Sequence, residues 1–361
     1  MAQVARNGQV EAVARHGSVT QKQLAALAGV HPSTVSLALA DDPRIPLATR
    51  ERLQHLAREH RYAPNQAARW LRQSRTGTLG LVFWGEAHLE EDGRARVGLP
   101  LMAAVEAAVA AGYQALVIPA TPDRLLAESI EDIVRRAPVD GALFFGTTHD
   151  RDGLARLVRG GFPAAHFGRR HLAGADLAYV SADYRGGSAA AVSHLIQQGH
   201  RRIAMVEDPR FAPEIAIERC AGYADALTAA GIPLLPELVV RPRSVDALVV
   251  DTDGLVHALN ELDATAAFVA TGTLGLEVLR RCAALGVRVP EHLALAAYDD
   301  EPEASASAPP LTTVRQPVAS IATAAVHLLL RLAAGEELSP AERRQTLPVE
   351  LIVRASSVTV R

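Results

Sequence analysis

From residue 78 onward the chain alternates short, almost wholly apolar runs with alanine-rich stretches, and few architectures accept that order. The runs are TLGLVF (78–83), QALVIPA (114–120), GALFFG (141–146), RIAMVE (202–207), TAAFVA (265–270) and LALAAYD (293–299). Their hydrophobicity is too continuous for strands with one wet face, so they read as parallel strands covered on both sides. Helix-like text at 101–111, 185–198, 218–230 and 273–285 supplies the covers. The length suits two such lobes, and sheets of this kind carry their sites at the carboxyl ends of the strands. With seven Phe, six Tyr and two Trp, the cores must be built mainly from Ala, Val and Leu.

The first 75 residues differ in charge and in pattern. They hold 11 Lys and Arg against 5 Asp and Glu, a formal +6 on a chain whose total is −3. VTQKQLAALAGVHPSTVSLALADDP reads as two short helices and a tight turn. Thr20 caps the first, with Gln23 in capping-box position, and Leu24, Leu27 and Ala28 form its apolar stripe. Gly29 permits the sharp turn. The second helix starts near His31, with Pro32 tolerated in its first turn, and turns Val35 and Leu39 inward. A third, from about Leu47 to His60, turns Leu53, Leu56 and Ala57 inward. Three small helices joined in this way on a basic segment point to a reader of the DNA major groove. His31, Ser33 and Thr34 are placed to meet base edges or phosphates, and Gln21, Pro32, Ser36, Leu37 and Thr49 are further DNA-binding candidates on the same module. A solvated histidine at a helix start is the plain alternative for His31.

Then comes YAPNQAARWLRQSRTGTLG. Pro64 interrupts the preceding helix, and Asn65 caps a short one over 66–72. That helix is too short to be stable alone, so it folds against DNA or a partner chain, or is an ordinary linker. Ala68 and Leu71 lie on it, Leu71 as an apolar wedge. Arg69, Arg72 and Arg75 can meet phosphates.

Several classes are excluded or weakened. No apolar run reaches the roughly 18 residues that span a bilayer, and Arg6, Asn7, Glu11 and Arg15 interrupt any signal-peptide block. A cytoplasmic protein with no membrane partner is expected. Cys220 and Cys282 are too few for a disulfide framework or a zinc site. No dinucleotide loop, P-loop, G-x-S-x-G elbow or H-E-x-x-H pair occurs, so neither catalysis, a cofactor nor a metal is expected. A solute-binding transport protein would share the two lobes but has no use for the basic module.

The whole resembles the lactose-repressor family of bacterial transcription regulators. VTQKQLAALAGVHPSTVSLALA matches the family's helix-turn-helix, and TRERLQHLAREHRYAPNQAARWLRQSRTGTLGLV matches its third helix, hinge and first core strand. Further family text recurs at GHRRIAMV, ERCAGYADALTAAGI, VPEHLALAAYDD, PPLTTVRQPV and LPVELIVRASS. The resemblance covers residues 19–361. It implies a small all-α helix-turn-helix domain with a hinge helix, then an α/β two-lobed body like a periplasmic binding protein. The implied boundaries are an extension at 1–18, the DNA-binding domain at 19–64, a hinge and linker at 65–77, and the effector-binding and dimerisation domain at 78–361. Within the body, lobe one is expected at about 78–181 and 311–340, and lobe two at about 182–310 and 341–361.

The resemblance further implies a repressor acting in carbohydrate metabolism as a homodimer on a pseudopalindromic duplex, controlled by a small molecule such as a saccharide. Co-repressor dependence and effector independence are the alternatives, because one lobe closure serves either sign of allostery. No leucine heptad tail is present, so a coiled-coil tetramer is not expected. Arg219 matches the family's effector-binding arginine, and Asp299 follows an apolar run where a carboxylate can accept from ligand hydroxyls. Asp183 is expected to be a helix cap. Thr271 and Gly272 stand where relatives commonly have Asn-Asp, Gly168 where they often have Asp, and Tyr184 where Asn is common. Leu37 replaces a polar base reader and can touch a thymine methyl. The stretch 83–100 is expected as a long, charged loop; Trp84 is either a stacking candidate, as is Tyr184, or an ordinary core or loop tryptophan. With fewer polar groups to saturate a small sugar ring, a larger or more apolar ligand is expected.

Overall fold

Thr20 opens helix α1 (Gln21–Ala28) with reciprocal hydrogen bonds. Its hydroxyl accepts from the Gln23 amide at 3.4 Å, and the Gln23 carboxamide oxygen accepts from the Thr20 amide at 2.8 Å. Gly29 ends the helix at φ 66°, a left-handed turn that costs glycine little. Helices α2 (Pro32–Leu39) and α3 (Leu47–Glu59) follow, and the three close on Leu24, Ala25, Val35, Ala38, Leu53 and Ala57. Leu27, expected on the inner stripe, is instead 58% exposed, with Ala25 taking its place. The helix is two turns long and its neighbours meet the face centred between Leu24 and Ala28, which leaves Leu27 outside. Leu39 and Leu56 are only half-buried at the rim of this core.

This computed structural model describes residues 19–39, 41–60, 62, 75–84, 91–146, 150–209, 213–243 and 250–358. It divides into one unit ending at Thr76 and a second beginning at Gly77. The extension 1–18 and the hinge candidates Asn65, Ala68, Arg69, Leu71 and Arg72 lie outside the described residues.

The second unit follows the alternation in its sequence. Its first half runs β1 (Thr78–Trp84), α4 (Glu91–Ala110), β2 (Gln114–Ala120), α5 (Pro122–Ala127), α6 (Ile130–Arg136), β3 (Gly141–Phe145), α7 (Arg151–Arg159), β4 (Ala164–Phe167) and β5 (Ala178–Ala182). The second half runs α8 (Tyr184–Gln197), β6 (Ile203–Val206), α9 (Pro213–Ala229), β7 (Val239–Val240), α10 (Thr252–Glu261), β8 (Ala266–Val269), α11 (Gly272–Ala284), β9 (Ala294–Tyr298) and α12 (Pro302–Ala306). The chain ends with β10 (Thr312–Arg315), α13 (Val318–Ala333), α14 (Pro340–Arg343), β11 (Arg344–Leu347) and β12 (Glu350–Ile352).

Two six-stranded sheets result, in the orders β11-β5-β4-β3-β1-β2 and β12-β10-β9-β8-β6-β7. All pairings are parallel except β10 with β12. The inner strands β3, β5, β6, β8 and β9 are buried along their whole length, as their unbroken hydrophobicity requires. The chain passes between the sheets three times: after β5, between β10 and α13, and between β11 and β12.

Two expected lobe boundaries need correction. Strand β10, expected in lobe one, belongs to the second sheet, and β11, expected in lobe two, edges the first. Both are short extended segments at crossings, where the apolar pattern says strand but not which sheet. The stretch 83–100 is also not all loop. Helix α4 begins at Glu91, ten residues before the expected start. Gly93, Gly98 and Pro100 are poor helix formers and hid it.

Candidate functional site

The site is built where the carboxyl ends of the strands of both sheets meet. On the second sheet, helix α9 packs closely against α8, because a Cβ at Gly222 would lie 2.1 Å from the Arg185 carbonyl oxygen. No other residue fits there, and this approach sets the position of Arg219, one helical turn earlier on α9. Arg219 is 1% exposed. Its guanidinium carbon lies 3.9 Å from the centre of the Tyr298 ring and 5.3 Å from that of Tyr184. Such stacking suits a weakly hydrated planar cation.

One Arg219 nitrogen donates to Asp299 Oδ1 at 3.3 Å and Oδ2 at 3.4 Å, and the other donates to the Ala270 carbonyl oxygen. The Gln316 side-chain amide also donates to Asp299 Oδ1. One carboxylate at the end of β9 is therefore held by a cation from α9 and an amide from the crossing after β10. Asp299 itself sits at φ 72°, in the left-handed region. The turn is held by Gly272, where a Cβ would lie 2.4 Å from the Asp299 carbonyl oxygen. Gly272 is thus a packing requirement rather than merely a missing polar group.

Thr271 plays a different part from the one its sequence position suggested. Its hydroxyl donates to Asp208 Oδ2 at 2.6 Å and accepts from the Leu274 amide at 3.3 Å, capping α11. Asp183 caps α8 through the Gly186 amide at 2.8 Å, and its carbonyl accepts from the Tyr298 hydroxyl at 3.1 Å. Tyr184 reaches toward the first sheet. Its hydroxyl lies 3.4 Å from where a Cβ of Gly168 would stand, and its ring centre is 5.9 Å from that of Tyr298. Burial pushes the Tyr184 phenol up to about 12, so it stays neutral. Trp84 ends β1, and its side chain lies outside what the structure describes.

The first sheet brings up His166 and Arg170. Phe83, Phe145 and Phe167 stack in a row across β1, β3 and β4, with centroids 4.5 and 5.4 Å apart, and His166 lies one residue before the last of them. Its ring nitrogens lie 2.9 Å from the Gly168 and 3.1 Å from the Gly146 carbonyl oxygens. Burial and then the Arg170 charge outweigh both carbonyls and push the ring down to about 4. His166 is therefore neutral near pH 7, donating to one of the two. Arg170, 3% exposed, donates to the Gly146 carbonyl oxygen at 3.0 Å and pairs with Glu214 of α9 at 3.3 Å.

A pH dependence follows. An unfolded histidine titrates near 6.5, so below that pH the unfolded chain takes up a proton that the folded chain refuses until about 4. Stability is expected to fall as the pH drops through that window, by roughly 3 kcal/mol in all. Denaturation of the parent and of His166→Gln at about pH 7.5 and about pH 4.5 checks this, since the variant should lose less than the parent. Equal losses would show that His166 is not held neutral.

In the amino-terminal unit, the His31 ring and Ser33 engage each other at the start of α2, with Nδ1 and Oγ 2.7 Å apart. The Gln21 side chain donates to the Pro32 carbonyl oxygen at 2.7 Å, tying α1 to α2. Thr34, Ser36 and Leu37 are partly exposed on α2, as is Thr49 on α3. Arg44 is paired with Asp42 at 2.7 Å and Arg50 with Asp41 at 3.2 Å, so part of the basic charge is neutralised locally.

The structure therefore brings Tyr184, Arg219 and Asp299 together and places Thr271 beside them with its hydroxyl turned to Asp208. Sequence reasoning missed Gln316, Asp208, His166 and Arg170. Gln316 at least lies within a stretch, PPLTTVRQPV, that carries the family resemblance.

Residues 20–65 match the profile of bacterial regulatory proteins of the lacI family. Residues 101–261 match that of the periplasmic binding proteins and sugar-binding domain of the LacI family, and 192–357 match a periplasmic binding protein-like domain. The regulator CelR of Thermobifida fusca is 32% identical over 348 residues, covering 93% of this chain and 98% of that one. The chain belongs to the lacI family of bacterial regulatory proteins. The repressor CytR of Escherichia coli is 27% identical, over 94% of this chain and 96% of its own. A solved CelR–cellobiose complex is 29% identical with a TM-score of 0.65, covering 94% of this chain and 99% of that one. The lac repressor dimer bound to operator and an anti-inducer shares the fold, with a TM-score of 0.68 at 24% identity over 94% of this chain and 99% of its own. This family member is a sequence-specific DNA-binding transcription regulator and not an enzyme. Among the described residues no helix is long and apolar enough to cross a membrane.

Proposed function

We propose that the protein is a homodimeric repressor of a pseudopalindromic operator, and that the ligand in its cleft is a neutral saccharide of more than one ring. The observation that carries the ligand class is the Arg219–Asp299–Gln316 cluster lying against Tyr298 and Tyr184. The two buried arginines each have a carboxylate partner, Arg219 with Asp299 and Arg170 with Glu214. A charged metabolite would have to break such a pair, whereas hydroxyls can bridge one. The solved relative with cellobiose, a disaccharide, supports the same reading.

The dimer reading rests on a separate face. Leu99, Met102 and Val109 share one side of α4 and are 58%, 54% and 61% exposed, and Val117 on the neighbouring edge strand β2 is 48% exposed. An apolar stripe of this kind suits a second copy, which would set two α2 helices on two half-sites. The hinge residues Asn65, Ala68, Arg69, Leu71 and Arg72 are proposed to enter the minor groove between them, with Leu71 as wedge.

Titration with cellobiose and with glucose, by calorimetry and by operator release, tests the ligand class. Cellobiose is expected to bind and to shift operator affinity, and glucose is not. Micromolar binding of a hexose or pentose that also shifts operator affinity would defeat the reading.

A further inference from the structure

The first turns of α9 carry carboxylates that reach across to the first lobe. Glu214 meets two arginines there, Arg151 at the start of α7 and Arg170 after β4, the latter at 3.3 Å. Glu218 meets Arg169 at 2.9 Å. The lobe-one side is itself tied down, since Arg151 donates to the His171 carbonyl oxygen at 2.7 Å and Arg170 to that of Gly146 at 3.0 Å. Glu214 is 12% exposed at its side chain and Arg170 3%, whereas Arg169 and Glu218 are 33% and 23% exposed. The set therefore grades from a desolvated pair to one that salt can screen.

We infer that these three ion pairs form a latch across the cleft, which holds lobe two against lobe one and makes lobe closure depend on charge. Its bolt is the helix that carries the ligand-facing arginine. Glu218 and Arg219 are consecutive, so the contact that closes the lobes and the contact that grips a ligand sit on the same helical turn. Opening at this edge must carry α9, and Arg219 with it, away from the first lobe. Neither the Asp299 cluster nor the three crossings requires such pairs, because both hold within lobe two or at the hinge side. The link from latch to effector control rests on the proposed ligand site, but the latch itself is testable without any ligand.

The test is a pulsed dipolar distance measurement on the full-length protein. Nitroxide labels are attached through Arg159→Cys on lobe one and Glu261→Cys on lobe two, with Cys220→Ser and Cys282→Ala, and labelled chains are diluted with unlabelled ones. The parent should give one distance at low salt and a second, longer one as salt rises. Glu214→Gln with Glu218→Gln should show the longer distance at low salt. At the exposed pair, Arg169→Glu alone and Glu218→Arg alone should each lengthen the distance, and the two together should restore it. The latch is refuted if neither salt nor the glutamine pair alters the distance, and equally if the combined charge swap fails to restore it. A failure of cellobiose to bind would leave these distances unchanged and would count against the ligand reading alone.

Discussion

Replacing Arg219 with alanine is expected to weaken ligand binding by about 2–4 kcal/mol, roughly 30- to 1,000-fold, and to destabilise the two-lobed unit as well. Removing the guanidinium leaves the Asp299 carboxylate with Gln316 as its remaining side-chain donor, and opens a void between Tyr184 and Tyr298. Breaking one side of a buried ion pair costs roughly 3–5 kcal/mol of stability, because the remaining charge must stay desolvated or drag in water. Asp299→Ala should weaken the ligand to a similar degree by stranding the arginine instead. Asp299→Asn keeps the shape and should fall between. Calorimetry with cellobiose and chemical denaturation separate the two effects. If both alanine variants bound ligand as the parent does, the cluster would be structural and the site would lie elsewhere. An inducer predicts that these variants still hold the operator, and a co-repressor predicts that they lose ligand-dependent binding.

Operator affinity should fall by about 10³- to 10⁵-fold between about 50 and about 200 mM salt, as expected for some 6–10 phosphate contacts. The basis is the formal +6 of the first 75 residues, doubled in a dimer. A single half-site should bind far more weakly than the full palindrome, since it engages one α2 helix rather than two. The local pairing of Arg44 with Asp42 and Arg50 with Asp41 sharpens the expectation. Arg44→Ala should leave the salt slope almost unchanged, because that cation is already neutralised within its own turn. A salt-independent constant, or equal affinity for half-site and palindrome, would exclude the proposed mode of binding.

The alternation of runs was enough to anticipate parallel sheets, because apolar runs of six or seven residues are too short for buried helices and are separated by helix-length stretches. The capping box at Thr20 and the turn at Gly29 were equally plain, since each depends on residues within four positions. What the sequence hid were relations between distant residues. Gly168 reads alone as a lost carboxylate, yet it faces the Tyr184 hydroxyl from the opposite lobe. Gly272 reads as a lost contact, yet its missing side chain lets α11 reach the Asp299 turn. Gln316 and Asp208 are polar residues with no local pattern, and only the fold carries them to Asp299 and Thr271. The membership of β10 and β11 was hidden for the same reason, as pairing partners are not written in a strand's own residues.

The three passages between the lobes, set against the single run of chain that joins the amino-terminal unit to the body, have a consequence for how such proteins diversify. One recombination junction near Thr76 exchanges the DNA reader and cuts neither sheet of the sensor. Exchanging one lobe would need three junctions made together, each within two residues of a paired strand. New wiring between an old signal and a new set of genes is therefore within reach of a single cut, whereas new sensing has to come from point changes in the cleft.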